Sequence, residues 1–367
     1  MVGDGLVGAR SLLRYIVLAV DRLALSPSEA RRWDLAENEG DMVCYVAAVG
    51  SRLGDMLVIL PVVTALIREA RRTYVIARSP VQLEVAELIE GLAGCVKEPE
   101  LPQALEIEPG LVLDFFKDVN GRNHGLLGAM PIAEYERLSI VERLNIACTE
   151  FGIAVREHTL VPLSCQRIPD LSNTVAVVPG ATSSSKRWPV AHWLELVARL
   201  RSCGLSCLML GEPELCPDVR MLERCGVPLR GTPRLSEAVD VLSSVRLVVT
   251  VDTGFMHLAV NQGTPTIGMF NQLSCIWHRS YHHSYALVGD PCMVACLDKA
   301  QEVDEVFQQQ QCALPCASFD EVRWGGQDYV PCMTPEAAPC MLAITPDTVL
   351  ALAVDRGLLP SRCLFNA

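Results

Sequence analysis

The sequence predicts an α/β chain made of two halves, each a parallel sheet covered by helices. Three observations carry this. Short runs of Val, Ile and Leu, the pattern of strands buried on both faces, alternate with segments of helical period along residues 42–359. Two of these runs lead directly into a turn of small and hydroxyl-bearing residues and then a helix start, at 175–189 and 248–262. A stretch with two prolines and several turn residues, LVPLSCQRIPDLSN at 160–173, separates the halves.

The elements follow in order. Residues 1–40 are an N-terminal extension, in which RSLLRYIVLAVDRLAL (10–25) sets Leu12, Leu13, Ile16, Val20 and Leu23 at helical spacings. Such a helix lies on the protein's own surface, at a contact between copies in a homo-oligomer, or peripherally on a membrane. The first half, 41–165, opens with the strand MVCYVAAV (42–49), followed by strands TYVIA (73–77) and LVLDF (111–115). Helices at 54–70 and 80–93 lie between them, GRNHG (121–125) is a loop, and ERLSIVERLNIACTEFGI (136–153) is the closing helix.

The second half, 166–343, repeats the pattern with strands VAVV (175–178), SCLML (206–210), LVVTV (247–251) and TIGMF (266–270). SEAVDVLSSV (236–245) is one of its helices, and 292–340 is rich in Cys, Gln and Pro without a clear period. A final helix starting at Thr345-Pro346 and a tail make up 344–367. Two such halves are Rossmann-like domains, whose ligands bind at the C-terminal ends of the strands.

Composition bounds the function. The 367 residues suit two domains, and with half of them apolar and a fifth charged a sizeable core is available. A net charge of −12 leaves no basic face for duplex nucleic acid, so no nucleic-acid partner is expected. No apolar run reaches the roughly 18–20 residues of a membrane span. The longest, MLVILPVVTALI (56–67), contains Pro61 and reads as a buried helix. YIVLAV (15–20) is flanked by charges and lacks a cleavage site, so the expected compartment is the cytoplasm, including the inner face of its membrane.

Two motifs carry chemistry. In VVTVDTGFMHLAVNQGTPTIGMF (248–270) a strand ends in Asp252-Thr253-Gly254 and a helix begins. Backbone N–H groups at a helix start have no partner within the helix, and the dipole is positive there, so a phosphate suits the place. Thr253 adds a hydroxyl, Gly254 permits close approach, and His257 lies in the first turn. The bland reading is a cap in which Asp252 or Thr253 binds its own backbone. In VAVVPGATSSSKRWPVAHW (175–193) a strand leads to Thr182, Ser183 and Ser184, then to Lys186 and Arg187. Hydroxyls and a lysine after a parallel strand form a phosphate cradle of the P-loop kind, though without its spacing. The bland reading is a solvated Ser-rich linker.

Sixteen cysteines are many for a reducing compartment. Six are concentrated, Cys292, Cys296, Cys312, Cys316, Cys332 and Cys340, with the spacing C-x3-C-x15-C-x3-C-x15-C-x7-C. Paired cysteines separated by a loop are what a tetrahedral thiolate site for Zn or Fe needs. Free thiols or disulfides are the alternatives.

PGATSSSKRWP (179–189), LMLGEPE (208–214) and VDTGFMHLA (251–259) followed by GTPTIGMF (263–270) resemble the donor half of glycosyltransferase family 9, the ADP-heptose heptosyltransferases of lipopolysaccharide assembly. AVGSRLGDMLVILPVVTALIR (48–68), with its Gly54-Asp55 pair, resembles that family's opening strand, loop and helix, and CMLAITPDTVLALA (340–353) its closing helix. The resemblance runs from about 43 to 355, with the motifs in the family's order. It implies the GT-B architecture, two Rossmann-like domains facing a central cleft, the first for the acceptor and the second for the nucleotide sugar.

It further implies an inverting transfer that needs no metal cofactor for catalysis. Asp55 would be the general base that takes the proton of the attacking hydroxyl. Its alternative is an N-terminal helix residue interacting with the dipole, which would weaken it as a base. Lys186 would stabilise the departing diphosphate, with Thr182, Ser183, Ser184, Thr253 and Gly254 donating to it. Asp252 would serve sugar hydroxyls or orient the loop, and His257 would be a neighbouring donor. Glu212 and Glu214 would accept from ribose hydroxyls or lie in a solvated turn.

The acceptor would be a glycan, a lipopolysaccharide core or a protein. After TIGMF the chain departs from the family with NQLSCIWHRSYHHS (271–284), where Trp277, His278, His282 and His283 make a different pocket or a surface loop. The cysteine-dense segment resembles the autotransporter-modifying branch of the family, which holds iron on four cysteines. A GT-B sugar-nucleotide epimerase or hydrolase, and a non-catalytic scaffold of the same fold, are the competing functions.

Overall fold

A computed structural model describes residues 43–48, 50–69, 71–114, 163–181, 186–214, 216–232, 234–271, 282–289 and 339–364, with single positions between 142 and 155 and two short strands at 322–324 and 327–329. The chain divides into two compact units, the first holding residues 43–114 and the second having its main run from Pro162 onward. The expected helix at 10–25, the loop at 121–125 and most of the helix at 136–153 lie outside the described residues.

In the first unit, β1 (Val43–Ala47), β2 (Arg72–Ala77), β3 (Gly94–Lys97) and β4 (Leu111–Asp114) form one parallel sheet in the order β3-β2-β1-β4. β1 is central and buried at every residue, as its uninterrupted VCYVA implies. Between the strands lie α1 (Leu53–Leu57), α2 (Leu60–Arg68), α3 (Pro80–Glu87) and α4 (Leu101–Ile107).

The single helix expected at 54–70 is thus two. Pro61 has no N–H to donate back to Leu57, so it sits in the first turn of a new helix, where none is required. α3 stops at Glu87 rather than 93, because the chain must turn through Gly91, at φ 81°, to enter β3. β3 itself gave no signal in the sequence: it is a four-residue, half-buried edge strand with one β-branched residue.

In the second unit the elements run β5 (Thr174–Val178), α5 (Val190–Ser202), β6 (Ser206–Met209), α6 (Pro217–Arg224), α7 (Leu235–Ser244), β7 (Leu247–Val251), α8 (Gly254–Asn261), β8 (Thr266–Phe270) and β9 (Ser284–Val288). A short antiparallel pair, β10 (Val322–Trp324) and β11 (Gln327–Tyr329), precedes α9 (Pro339–Ala343) and α10 (Pro346–Asp355). The sheet is parallel, in the order β6-β5-β7-β8-β9, and a parallel bridge from Met209 to Leu229 extends it beyond β6.

Counting that bridge, the strands stand third, second, first, fourth, fifth, sixth, which is the dinucleotide-binding order. The direction of winding reverses between β5 and β7. In this strand order ligands bind at the C-terminal ends of those two strands, and both sequence motifs begin there.

Burial explains how the C-terminal segment holds to this unit. Trp188 and Trp193 are almost wholly buried and meet edge to face, with ring centroids 4.8 Å apart. Trp188 Nε1 donates to the Ile344 carbonyl at 2.6 Å, and Arg199 Nη1 lies 2.6 Å from Asp347 Oδ1. Thr345 caps α10 by accepting from the Thr348 N–H at 3.2 Å, as its Thr-Pro start predicts. The proline-containing stretch ahead of β5 is tied to α7: the Gln166 N–H donates to Asp240 Oδ1 at 2.6 Å and the Ile168 N–H to Ser244 Oγ at 2.7 Å.

Candidate functional site

The second unit's candidates converge on Asp252. β7 ends at Val251, and the next carboxylate, only 6% exposed, sits where the winding reverses. Lys186 Nζ lies 2.6 Å from Asp252 Oδ2, joining the turn after β5 to the turn after β7 across 66 residues of sequence. An ammonium has three N–H donors, and Asp252 engages one, so the cation is held in place with donors to spare for an anion. The lysine side chain is 25% exposed against 5% for the aspartate, so the charge faces outward from a buried anchor. His257, buried in α8, brings Nε2 to 3.9 Å from Asp252 Oδ1.

Thr253 is the N-cap of α8, extended at φ −151° and ψ 164°, and makes no side-chain capping hydrogen bond. The cap reading of Asp252-Thr253 therefore does not describe this turn: Asp252 binds Lys186, and the Thr253 hydroxyl does not close the helix. Gly254 opens the helix, and Gly263, at φ 74°, closes it.

A second cation, to which the sequence assigned no role in the site, lies beside the first. Arg187 Nε lies 3.7 Å from Asp218 Oδ2 and donates to the Ala181 carbonyl at 3.4 Å. Asp218 opens α6, and burial raises its carboxyl above the usual carboxylate range against the pull of Arg187. Nothing local in the sequence links residues 187 and 218; the packing of α6 beside the loop does.

In the first unit, Asp55 stands in the first turn of α1, directly after the loop that leaves β1. Its Oδ2 accepts from the Arg52 N–H at 2.8 Å, so the carboxylate does cap its own helix. The sequence set capping and base chemistry against each other, and the geometry gives the first without removing the second, since one carboxylate has several lone pairs. A Cβ placed on Gly50 would overlap the Asp55 carboxylate, which is why that position carries no side chain.

Other candidates stand apart. Thr182, Ser183 and Ser184 lie outside the described residues. Glu212 and Glu214 are exposed in the turn that follows β6. Of the six clustered cysteines, Cys292, Cys296, Cys312, Cys316 and Cys332 lie outside the described residues, while Cys340 is half-buried in α9. Among the described residues no group of three or more potential ligands gathers around a metal position. Trp277 and His278 are also outside the described residues. His283 is buried with its Nε2 paired to the Val260 carbonyl at 2.9 Å, which makes it a support for α8 rather than a pocket wall.

Comparison with known proteins bears on these turns. Residues 164–306, the stretch holding Lys186, Asp252 and His257, match the model of glycosyltransferase family 9 (heptosyltransferase). That stretch is therefore similar to glycosyltransferase family 9. It is 34% identical over 129 residues to lipopolysaccharide heptosyltransferase 1 of Pseudomonas aeruginosa, covering 33% of this chain and 35% of that protein. The chain spans about a third of the length of the curated relatives it matches.

Among solved structures, E. coli heptosyltransferase WaaC with ADP-2-deoxy-2-fluoro heptose superposes with a TM-score of 0.52 at 16% identity, over 73% of this chain and 100% of that one. The iron-containing dodecameric glycosyltransferase TibC of enterotoxigenic E. coli H10407 gives 0.58 at 14% identity, over 86% and 76%. These superpositions give the chain the GT-B fold class, with two Rossmann-like α/β domains.

Proposed function

We propose that this chain is an inverting glycosyltransferase that moves heptose from ADP-heptose to a glycan, lipopolysaccharide-core or protein acceptor. The Lys186–Asp252 pair, set where the winding of the sheet reverses, carries this reading. It fixes a cation at the place where the fold receives a diphosphate, and a leaving diphosphate gains negative charge as the glycosidic bond breaks. A protein cation then does the work that a metal does elsewhere. The helix start at Gly254 and the hydroxyls of Thr182, Ser183, Ser184 and Thr253 add donors, and His257 steadies Asp252. Glu212 and Glu214 border the nucleotide. Asp55 takes the acceptor proton, its carboxylate held at the end of β1 by the Arg52 N–H.

The named relatives support the donor, since WaaC was solved with an ADP-heptose analogue and TibC with ADP-D-β-D-heptose. The fold neighbour TibC is iron-containing and dodecameric. For this chain the reading adds homo-oligomerisation and, resting on cysteine spacing alone, a metal held within Cys292, Cys296, Cys312, Cys316, Cys332 and Cys340. Such a metal would staple the segment, without a part in the transfer. The work would take place in the cytoplasm at the inner membrane face. Among the described residues no helix is long and apolar enough to cross a membrane.

The test combines a panel of sugar nucleotides with two variants. ADP-heptose should be the donor consumed, and Lys186→Ala should lower its affinity by an amount equal to one charge-assisted contact, about 1.5–3 kcal/mol. Asp55→Asn keeps the shape and removes the basicity, so turnover should fall roughly 10²–10⁴-fold at nearly constant donor affinity. Turnover of a nucleotide sugar to an epimer would instead identify an epimerase. Binding without turnover of any donor would identify a scaffold. Unchanged calorimetric affinity in folded Lys186→Ala would remove the phosphate assignment.

A further inference from the structure

The loop that leads into the helix of Asp55 is held by side chains from beyond β2, and they take no part in the proposed transfer chemistry itself. Gln82, in the first turn of α3, is fully buried, which is uncommon for an amide unless each of its groups is paired. Its Oε1 accepts from the Arg78 N–H at 2.7 Å. Its Nε2 donates to the Gly50 carbonyl at 2.8 Å and the Arg52 carbonyl at 3.1 Å. Arg78 adds a third hold: its Nη1 donates to the Ala48 carbonyl at 2.5 Å, while Nε pairs with Glu98 Oε1 at 2.9 Å. The carbonyls of residues 48, 50 and 52 are thus each gripped, the first by Arg78 in the turn after β2 and the other two by Gln82 in the first turn of α3. The same loop supplies the Arg52 N–H that binds Asp55, and Gly50 lies against that carboxylate.

We propose that Gln82 and Arg78 are positioning residues that aim the Asp55 carboxylate by clamping the carbonyls of Ala48, Gly50 and Arg52. This rests on Asp55 being the base. A loop leaving a strand has no ladder to hold it, and its carbonyls must otherwise find water or float. A buried amide bound at both ends fixes two of them to a rigid helix. Displacement of a reacting group by about 1 Å can cost on the order of 10²-fold in rate, so the clamp acts on kcat. Donor affinity, which resides in residues of the second unit, should not respond.

The test follows release of ADP from ADP-heptose, with water or a heptose-free lipopolysaccharide core as acceptor. Gln82→Leu removes the donors at similar volume and should lower kcat roughly 10²-fold while the donor KM holds. Gln82→Glu gives the discriminating readout. Protonated, its carboxyl can still donate to one carbonyl and accept from the Arg78 N–H. Ionised, it turns a negative charge on the carbonyls of Gly50 and Arg52. Its kcat should therefore approach wild type at acid pH and fall as pH rises, while the wild-type rate rises or holds as Asp55 loses its proton. Arg78→Met should lower kcat in the same way, without moving KM.

If Gln82→Leu does not fold, the pH profile of Gln82→Glu and the Arg78→Met split decide. Wild-type kcat in the folded variants, or a Gln82→Glu profile of wild-type shape, overturns the clamp. Asp55→Asn separates the two ideas: full turnover there removes the base itself, whereas lost turnover there with full turnover in Gln82→Leu removes only the clamp.

Discussion

A carboxylate partly or wholly removed from water can hold a cation or resist being charged, and buried Asp252 and half-buried Asp218 differ in this way. Asp252 keeps its partner at 2.6 Å and serves as an anchor. Asp218 meets Arg187 at only 3.7 Å, too far to offset its burial, so its carboxyl is raised. The sign of the pH effect is then fixed. A carboxyl raised on folding contributes stability that is complete below its ordinary range and is lost as pH rises through the raised value. An amide at that position has no such loss. Asp218→Asn should therefore gain stability relative to the parent as pH goes from about 3 to 7, across and above the ordinary carboxylate range. Urea unfolding of both proteins at the two pH values measures this, and a gain that shrinks toward neutrality would contradict it.

At the scale of elements, two tryptophans tie the stretch after Lys186 to the C-terminal helices. Trp188 stands two residues beyond Lys186, and its indole N–H is bound to the Ile344 carbonyl at 2.6 Å, between α9 and α10. Trp193 packs against the same ring with its own Nε1 buried and, among the described residues, without a hydrogen-bond partner. The two tryptophans therefore differ in one bond. Trp188→Phe should destabilise more than Trp193→Phe by about 1–3 kcal/mol, the cost of orphaning a buried carbonyl. Thermal unfolding of the pair reads the difference, and equal losses would mean that the bond to Ile344 contributes nothing. The two-helix break at 58–59 belongs at this scale too, since Pro61 restarts the helix and leaves α1 as the single short turn that presents Asp55.

For the whole molecule, the matter to test is whether the cysteine-dense stretch holds a metal. A segment with little apolar period cannot offset its conformational entropy by burial, whereas a thiolate-bound metal turns binding free energy into folding free energy. Protein purified without added metal should hold about one equivalent of Zn or Fe, as a single tetrahedral thiolate site requires. Replacing Cys312 and Cys316 together should remove it. Elemental analysis that finds neither metal would assign these cysteines as thiols or disulfides.

Much was legible in the residues. Uninterrupted apolar runs identified β1, β5, β7 and β8, because a parallel strand buried on both faces tolerates little else. The Asp-Thr-Gly turn was legible as a helix start after β7 because helix starts and strand ends carry local chemistry. β3 and β9, half-exposed at sheet edges, had no such signature. Only the tertiary structure decided that Asp252 binds Lys186 rather than its own helix, that Arg187 meets Asp218, and that Gln82 grips the loop of Asp55. Each of these joins residues 30 or more apart in sequence. The sequence specifies local preference and pattern, whereas the winding order of the sheets determines which loop ends meet.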